Sequence, residues 1–183
     1  MGSVIWLTGI PGSGKSTIAK ELKKLKPDIT ILRLDEIRKK ITPKPTYTDK
    51  EREEVYSKLI EMAMFLDKEG KNVIIDATGH KRKWRNIARK GIKNFYEVWV
   101  RCPLGVCMKR EASRKDNPTT ANLYKKALKG EIKNLPGSGV PYEEPKKPDL
   151  IIDSDKVSAS EVAKKISHSL QKGWRSARPI LEG

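Results

Sequence analysis

Short apolar segments alternate with amphipathic helical segments along this chain of 183 residues. Five of the apolar segments predict β-strands, because they are short runs of branched and aromatic residues bounded by polar or turn-forming ones. They lie at 3–8, 29–34, 72–76, 95–101 and 149–153. Strands that alternate with helices are typical of a mostly parallel sheet with helices on both faces. The pattern therefore predicts an α/β fold, a three-layer sandwich around a five-stranded sheet.

Helical periodicity and capping signals mark three helices. The first covers 15–26 and places its apolar residues on one face. The second opens at Thr48 and Glu51, which have the spacing of a capping box. Ser158 and Glu161 repeat that spacing before the third helix. These helices complete the alternating pattern that the sheet requires.

The chain reads as one unit, because its length is that of one ordinary domain and no repeat or linker divides it. We expect this domain to cover 1–172. Two stretches predict loops, 111–120 with its Asn-Pro pair and 135–148 with its Gly and Pro content. Such loops either cover an active site or are plain surface connections. The tail 173–183 has no clear periodicity, and we expect it to be flexible.

Charge and apolar run length restrict the possible partners. Lys and Arg outnumber Asp and Glu by 39 to 23, a formal net charge of +16, which attracts anions of any kind. The longest uninterrupted apolar run, 62–66, is far below the roughly 20 residues that cross a bilayer. With no signal-peptide pattern either, we expect no membrane association and a cytoplasmic location. Cys102 and Cys107 are too few for a four-ligand zinc site and predict reduced thiols.

One segment satisfies the phosphate-binding pattern G-x-x-x-x-G-K-[ST] in full. It reads Gly9-Ile10-Pro11-Gly12-Ser13-Gly14-Lys15-Ser16, with Thr17 directly after it. A strand is predicted before it and a helix after it, which is the context that the motif requires. In such a loop the backbone N–H groups cradle phosphates, Lys15 reaches the β- and γ-phosphates, and the Ser16 hydroxyl binds Mg²⁺. The segment predicts a P-loop NTPase-type sandwich that binds ATP and Mg²⁺, and the small size favours a kinase over a switch or motor.

Asp35 and Arg38 follow the second predicted strand, at the edge of the sheet where α/β proteins bind ligands. Asp35 can take a proton from an acceptor hydroxyl or help to hold Mg²⁺. Arg38 can neutralise an anionic acceptor. The alternative interpretation is a surface salt bridge at the start of a helix.

Asp76 ends the third predicted strand and is placed to face the Mg²⁺ of a P-loop site. Alternatively, Asp76 or Thr78 caps the next helix. His80 has no partner at a meaningful spacing, which favours a surface or helix-start role over catalysis.

Arg110 and Arg114 stand at the start of the polar loop. A lid over about 111–130 that closes on the phosphates would use such a cation, Arg110 in particular, to stabilise the transition state. Two solvated helix residues are the equal alternative.

Two later segments resemble the adenylylsulfate kinase family. They are 123–134, which reads LYKKALKGEIKN, and 141–150, which contains PYEEP and PDL. The phosphate-binding segment, the Asp35-x-x-Arg38 motif and Arg52 match as well. The resemblance covers residues 3 to about 153.

The resemblance implies transfer of the γ-phosphate of ATP to the 3′-hydroxyl of adenylyl sulfate, a small anionic nucleotide. It implies that Asp35 is the base or the Mg²⁺ partner. It also implies an acceptor site in which Tyr47 replaces the phenylalanine that stacks on adenine; this site consists of Asp35, Arg38, Tyr47, Arg52 and Lys125. Because members of the family commonly form dimers, a homodimer is implied.

The chain departs from the family pattern at the acceptor side. The chain has Arg33 where the family usually has an aspartate and Val55 where it has an asparagine. It has Gly79 in place of a serine and Leu135 in place of a phenylalanine. The front half is also similar to polynucleotide-kinase-like P-loop proteins. The alternative function is therefore phosphorylation of a hydroxyl of RNA, tRNA or another small acceptor, and the net charge permits nucleic acid as the second choice of partner.

Overall fold

The computed structural model describes residues 2–113, 123–132 and 134–172. The strands are β1 (Val4–Thr8), β2 (Thr30–Arg33), β3 (Val73–Asp76), β4 (Phe95–Arg101), β5 (Leu135–Pro136), β6 (Gly139–Val140) and β7 (Leu150–Asp153). The helices are α1 (Lys15–Leu25), α2 (Leu34–Ile41), α3 (Asp49–Lys68), α4 (Arg82–Gly91), α5 (Leu104–Ala112), α6 (Leu123–Leu128) and α7 (Ala159–Lys172).

The five strands expected from the apolar pattern form one sheet in the order β2-β3-β1-β4-β7, and every pairing in it is parallel. The predicted α/β fold and its five-stranded sheet are therefore confirmed. The two-residue strands β5 and β6 pair with each other and lie in the predicted loop 135–148. Parallel order places the carboxyl ends of β1, β2 and β3 side by side, which is where ligands bind in such sheets.

Successive residues of β1 face opposite sides of the sheet and so belong to two cores. Val4 and Trp6 pack in a cluster with apolar residues of α3 and α4. Ile5 and Leu7 pack in a second cluster with residues of α1 and α7. Because all five β1 residues are buried, the central strand is covered on both faces, and the three-layer sandwich is confirmed.

The two capping signals have different outcomes. Ser158 and Glu161 form the complete box, each side chain accepting a hydrogen bond from the backbone N–H of the other residue. At α3 the Thr48 hydroxyl accepts from the Glu51 N–H at 3.3 Å, but the Glu51 carboxylate is used elsewhere. That diversion is a first sign that Glu51 belongs to a site.

Several expectations concern residues outside the described part. Of the predicted lid 111–130, residues 114–122 with Arg114 lie outside it, as does the tail 173–183.

Both cysteines are free thiols, Cys107 buried and Cys102 partly buried. Within the described ranges, the helices are all too short or too polar to cross a membrane.

Candidate active site

The phosphate-binding segment forms the turn between β1 and α1. Gly12 has a φ of 80°, and a Cβ at this position would come within 2.5 Å of the Cys107 carbonyl oxygen. At Gly9 a Cβ would meet the Val100 carbonyl oxygen at 2.4 Å. The loop backbone packs so closely on β4 and α5 that only glycine fits at these two positions.

Lys15 begins α1 and lies across the phosphate loop. Its Nζ donates hydrogen bonds to the carbonyl oxygens of Gly9, at 2.8 Å, and Ile10, at 2.9 Å. Burial lowers the pKa of Lys15, and the nearby Asp76 carboxylate opposes that change. The N-cap of α1 is Gly14, which has no side chain to cap the helix, and such a helix start beside a lysine amine is suited to binding an anion.

Asp76 and Ser16 meet beside this loop. The Ser16 hydroxyl forms a hydrogen bond with the buried carboxylate at the end of β3. Burial raises the pKa of Asp76, while the Lys15 cation and the Ser16 hydroxyl act in the opposite direction. The helix-capping alternative for Asp76 or Thr78 is wrong, because α4 begins only at Arg82, whose N–H donates to the Glu143 carboxylate at 2.8 Å.

Arg33 reaches the same carboxylate from the neighbouring strand. It is the register partner of Asp76 across β2 and β3, and its Nε lies 3.8 Å from Asp76 Oδ2. The sequence analysis assigned no function to Arg33 and noted only that the family usually has an aspartate at this position. Its guanidinium adds a cation to the edge of the site where phosphates and a metal ion are expected.

The acceptor side is built on α2 and the start of α3. Asp35 lies in the first turn of α2, exposed towards the cavity described below. One turn later Arg38 is buried, and its guanidinium forms an ion pair with the buried Glu51 carboxylate. The surface-salt-bridge alternative is therefore wrong for Arg38, although the helix start that it assumed is present.

Glu51 is a site residue that the sequence analysis missed. Its carboxylate accepts hydrogen bonds from the backbone N–H groups of Thr46 and Tyr47, from the Thr46 hydroxyl at 2.8 Å, and from Arg38. Burial alone would raise the pKa of Glu51, but these hydrogen bonds together lower it. The ionised carboxylate thus holds both the 46–47 backbone and the Arg38 guanidinium, and the capping spacing was the only signal that marked it.

Tyr47 has an unusual backbone conformation, with a φ of 56°. A non-glycine residue in this region costs about 1–3 kcal/mol and persists only where its surroundings hold it. Here the Tyr47 N–H donates to Glu51 and its carbonyl oxygen accepts from Arg52 Nε at 3.1 Å. The Tyr47 ring is 41% exposed, and the Arg38 guanidinium carbon lies 5.0 Å from its centroid. The ring thus offers its open side to a ligand.

Arg52 ties together three segments that are distant in sequence. It is buried, and its guanidinium donates to the carbonyl oxygens of Tyr47 and Asn134. A third contact joins it to the His80 ring. The arginine that the resemblance assigned to the acceptor is therefore fixed on three sides.

His80 is buried, so the expected surface role is wrong, although it lies two residues before α4 as the helix-start alternative assumed. Its ring packs edge-on against Trp84, with ring centroids 4.8 Å apart. The preceding Gly79 has a φ of 57°, and a Cβ there would lie 3.0 Å from the Trp6 ring. A serine at that position, which the family usually has, would be strained both by the left-handed backbone and by the contact with the Trp6 ring.

Arg110 and Lys125 have different surroundings. Arg110 packs against the phosphate loop and donates to the Ser154 hydroxyl at 3.1 Å and the Ser154 carbonyl oxygen at 2.8 Å. Lys125 is exposed on α6 and is not among the residues that line the cavity. Its neighbour Tyr124, which the sequence analysis gave no role, donates its hydroxyl hydrogen bond to the Pro11 carbonyl oxygen at 2.8 Å.

One cavity of about 590 Å³, which we call the main cavity, joins the two sides. Its lining includes Lys15, Asp35, Arg38, Tyr47, Arg52 and Asp76. A second cavity of about 280 Å³ lies beside it, against Gly14, Thr17, Arg110 and Ser154. Most of the predicted site residues, from segments far apart in the chain, therefore share one space.

The parallel sheet, the phosphate loop and the shared cavity define a P-loop phosphotransferase. A family model described as adenylylsulphate kinase matches residues 1–153. The probable adenylyl-sulfate kinase of Archaeoglobus fulgidus is 39% identical over 160 residues, which are 85% of this chain and 98% of that protein. The adenylyl-sulfate kinase of Bacillus pumilus is 35% identical over 164 residues, 86% of this chain and 79% of that protein.

A solved structure agrees with these relatives. The APS kinase CysC of Mycobacterium tuberculosis, in complex with AMPPNP and APS, has a TM-score of 0.80 and 31% sequence identity, covering 94% of this chain and 98% of that one. The chain belongs to the adenylylsulphate kinase family. It is a phosphotransferase that acts on a hydroxyl group and uses ATP and Mg²⁺.

Proposed function

We propose that this chain transfers the γ-phosphate of ATP to the 3′-hydroxyl of adenylyl sulfate. The observation that carries the proposal is the lining of the main cavity. The phosphate loop with Lys15 lines its nucleotide side, and the buried cations Arg38 and Arg52 line its acceptor side. Phosphoryl transfer depends on holding donor and acceptor in line within one space. A cavity that offers an anion site at each end suits two anionic nucleotides.

The donor half is formed by the loop from Gly9 to Thr17. Its N–H groups and Lys15 hold the β- and γ-phosphates. The second cavity continues from Gly14 and gives room for the adenosine part of ATP. Arg110 lines both cavities, so its cation is placed to neutralise charge on the phosphates.

The residues beside the loop fit Mg²⁺. The described part of the chain contains no group of three or more His, Cys, Asp or Glu side chains that could cage a metal. Mg²⁺ usually takes one or two protein oxygens and completes its shell with phosphates and water, so the Ser16 hydroxyl with Asp76 and Asp35 is a suitable set. When bound, the ion neutralises charge on the β- and γ-phosphate oxygens.

The acceptor half supplies charge, a ring and a base. Arg38 and Arg52 neutralise the phosphosulfate, and the Tyr47 ring stacks on the adenine. Asp35 accepts the proton of the acceptor's 3′-hydroxyl while the hydroxyl oxygen bonds to the γ-phosphorus of ATP. The bond between that phosphorus and the oxygen that bridges it to the β-phosphate breaks, and ADP leaves. Leu135 lines the main cavity, so the second face of the adenine meets an aliphatic side chain.

Five finer expectations extend this proposal. Residues 1–172 act as the kinase domain, with a lid at about 111–130 that closes over the phosphates. The chain works as a homodimer in the cytoplasm, with which its two free thiols agree. Lys125 joins the acceptor site as a surface cation.

ADP release with a panel of acceptors tests the function. We expect turnover with adenylyl sulfate and none above background with 5′-hydroxyl RNA, seryl-tRNA or small polyols. The comparisons support the first acceptor over the nucleic-acid alternative. Turnover with RNA alone would reject the proposal, and retention on RNA that falls steeply with salt would then identify phosphate contacts.

A further inference from the structure

His80 lies in the wall of the main cavity behind Arg52 and is itself buried, with 1% of its surface exposed. The Arg52 guanidinium nitrogen Nη1 lies 3.2 Å from His80 Nε2 and 3.4 Å from Nδ1. Only one nitrogen of a neutral imidazole lacks a proton, and that nitrogen accepts the hydrogen bond from Arg52. A ring in this place limits how far Arg52 can turn away from the cavity.

The ring itself is fixed. It packs against Trp84 at an interplanar angle of 76° and faces Tyr56 with centroids 6.5 Å apart. Its backbone carbonyl oxygen accepts a hydrogen bond from the Glu143 N–H at 2.8 Å. A rigid aromatic support is what a long arginine side chain needs to keep one orientation.

A charged imidazole would repel the guanidinium, so the contact requires the neutral ring. Burial, with the Arg52 cation as the next cause, lowers the pKa of His80 to about 4. The ring is therefore neutral at physiological pH and can sit beside a cation.

We propose that His80 is a positioning residue for the acceptor: it holds Arg52 in the direction in which the guanidinium meets the phosphosulfate. This inference rests on the proposed function. His80 does not touch the acceptor in this account, and its effect passes entirely through Arg52. Removing the ring should therefore weaken acceptor binding and leave ATP binding unchanged.

The test compares His80→Leu with His168→Leu, which removes the other histidine of the chain, an exposed residue of α7. We expect His80→Leu to raise the KM for adenylyl sulfate about tenfold, the loss typical of a hydrogen bond to a charged group, with the KM for ATP unchanged within about twofold. His80→Asn, which keeps a polar acceptor in the same space, should recover part of that loss. In an Arg52→Ala background, His80→Leu should have no further effect.

Each outcome has a separate meaning. If the wild-type chain releases no ADP with adenylyl sulfate, the proposed function and this inference both fail. If the wild type is active and His80→Leu matches His168→Leu, only the positioning role is rejected. An equal loss with and without Arg52 would also reject it. Should His80→Leu fail to fold, His80→Ala, which cannot overfill the site, replaces it in the same comparison.

Discussion

The nucleotide side and the acceptor side of the main cavity are built in different ways. The nucleotide side is a backbone structure, in which Gly9 and Gly12 pack against neighbouring carbonyl groups and Gly14 precedes α1. The acceptor side is a network of side chains, in which Glu51, Arg38, Tyr47, Arg52 and His80 hold one another. Backbone sites need only a short local motif, whereas side-chain networks draw on residues from the whole chain. The two sides should therefore respond differently to substitution.

The largest effect is expected on the nucleotide side. Lys15→Ala should lower kcat by about a thousandfold with every acceptor, because it removes the cation that reaches the transferred phosphate. Steady-state ADP release measures this, with Lys24→Ala, an exposed lysine of the same helix, as the matched control. Activity within tenfold of the wild type would show that Lys15 does not act on the phosphates.

The next largest effect is expected on the acceptor side, where one substitution should change both acceptor binding and stability. Arg38→Ala should weaken binding of adenylyl sulfate about a hundredfold and lower the free energy of unfolding by about 3 kcal/mol, because it leaves the buried Glu51 carboxylate without its ion-pair partner. Binding is measured by calorimetry and stability by urea unfolding.

A double variant sharpens that result. Arg38→Met with Glu51→Gln removes both charges but keeps an oxygen for the 46–47 amides, so stability should largely return while acceptor binding stays weak. Recovery of acceptor binding in this double variant would contradict a direct role for the Arg38 cation.

Gly79→Ser introduces the residue that the family pattern has at this position. We expect it to lower the free energy of unfolding by about 1–3 kcal/mol, because the backbone is left-handed and the new Cβ would crowd the Trp6 ring. Urea unfolding measures the loss. A variant as stable as the wild type would show that the 79–80 turn accommodates a side chain at this position.

The smallest effect is the pH dependence of stability. The pKa of His80 is lowered to about 4 in the folded protein, against its ordinary 6.5. Between these values the unfolded chain binds more protons, so the free energy of unfolding should fall as the pH drops from about 6.5 to 4, by about 1 kcal/mol for each pH unit. The contribution is fully present above pH 6.5. His80→Leu should lose this slope, and an unchanged slope would assign it to other groups.

The sequence predicted the sheet and the nucleotide side almost completely. Each of the five strands is a short apolar run, and the phosphate loop needs only nine consecutive residues from Gly9 to Thr17. Local periodicity and a local motif carry this information. The boundaries of β1 to β4 and β7 consequently fall within one residue of their predicted positions.

Their position after a strand predicted Asp35 and Arg38, but the rest of the acceptor side was predictable only through the resemblance. Glu51 has the spacing of a helix cap, and nothing in its neighbours shows that it pairs with Arg38 thirteen positions earlier. His80 shows no partner in the sequence, because Arg52, 28 positions earlier, approaches it only in the folded chain. Interactions between distant segments of the chain have no local pattern that sequence analysis can find.

The central claim is that the main cavity brings ATP and adenylyl sulfate together for transfer to the 3′-hydroxyl. ³¹P NMR of the wild-type protein with ATP, Mg²⁺ and adenylyl sulfate tests it most directly. We expect a new phosphomonoester signal on the 3′-oxygen of the acceptor, in equal amount to the ADP formed. ADP and inorganic phosphate without that signal would contradict it.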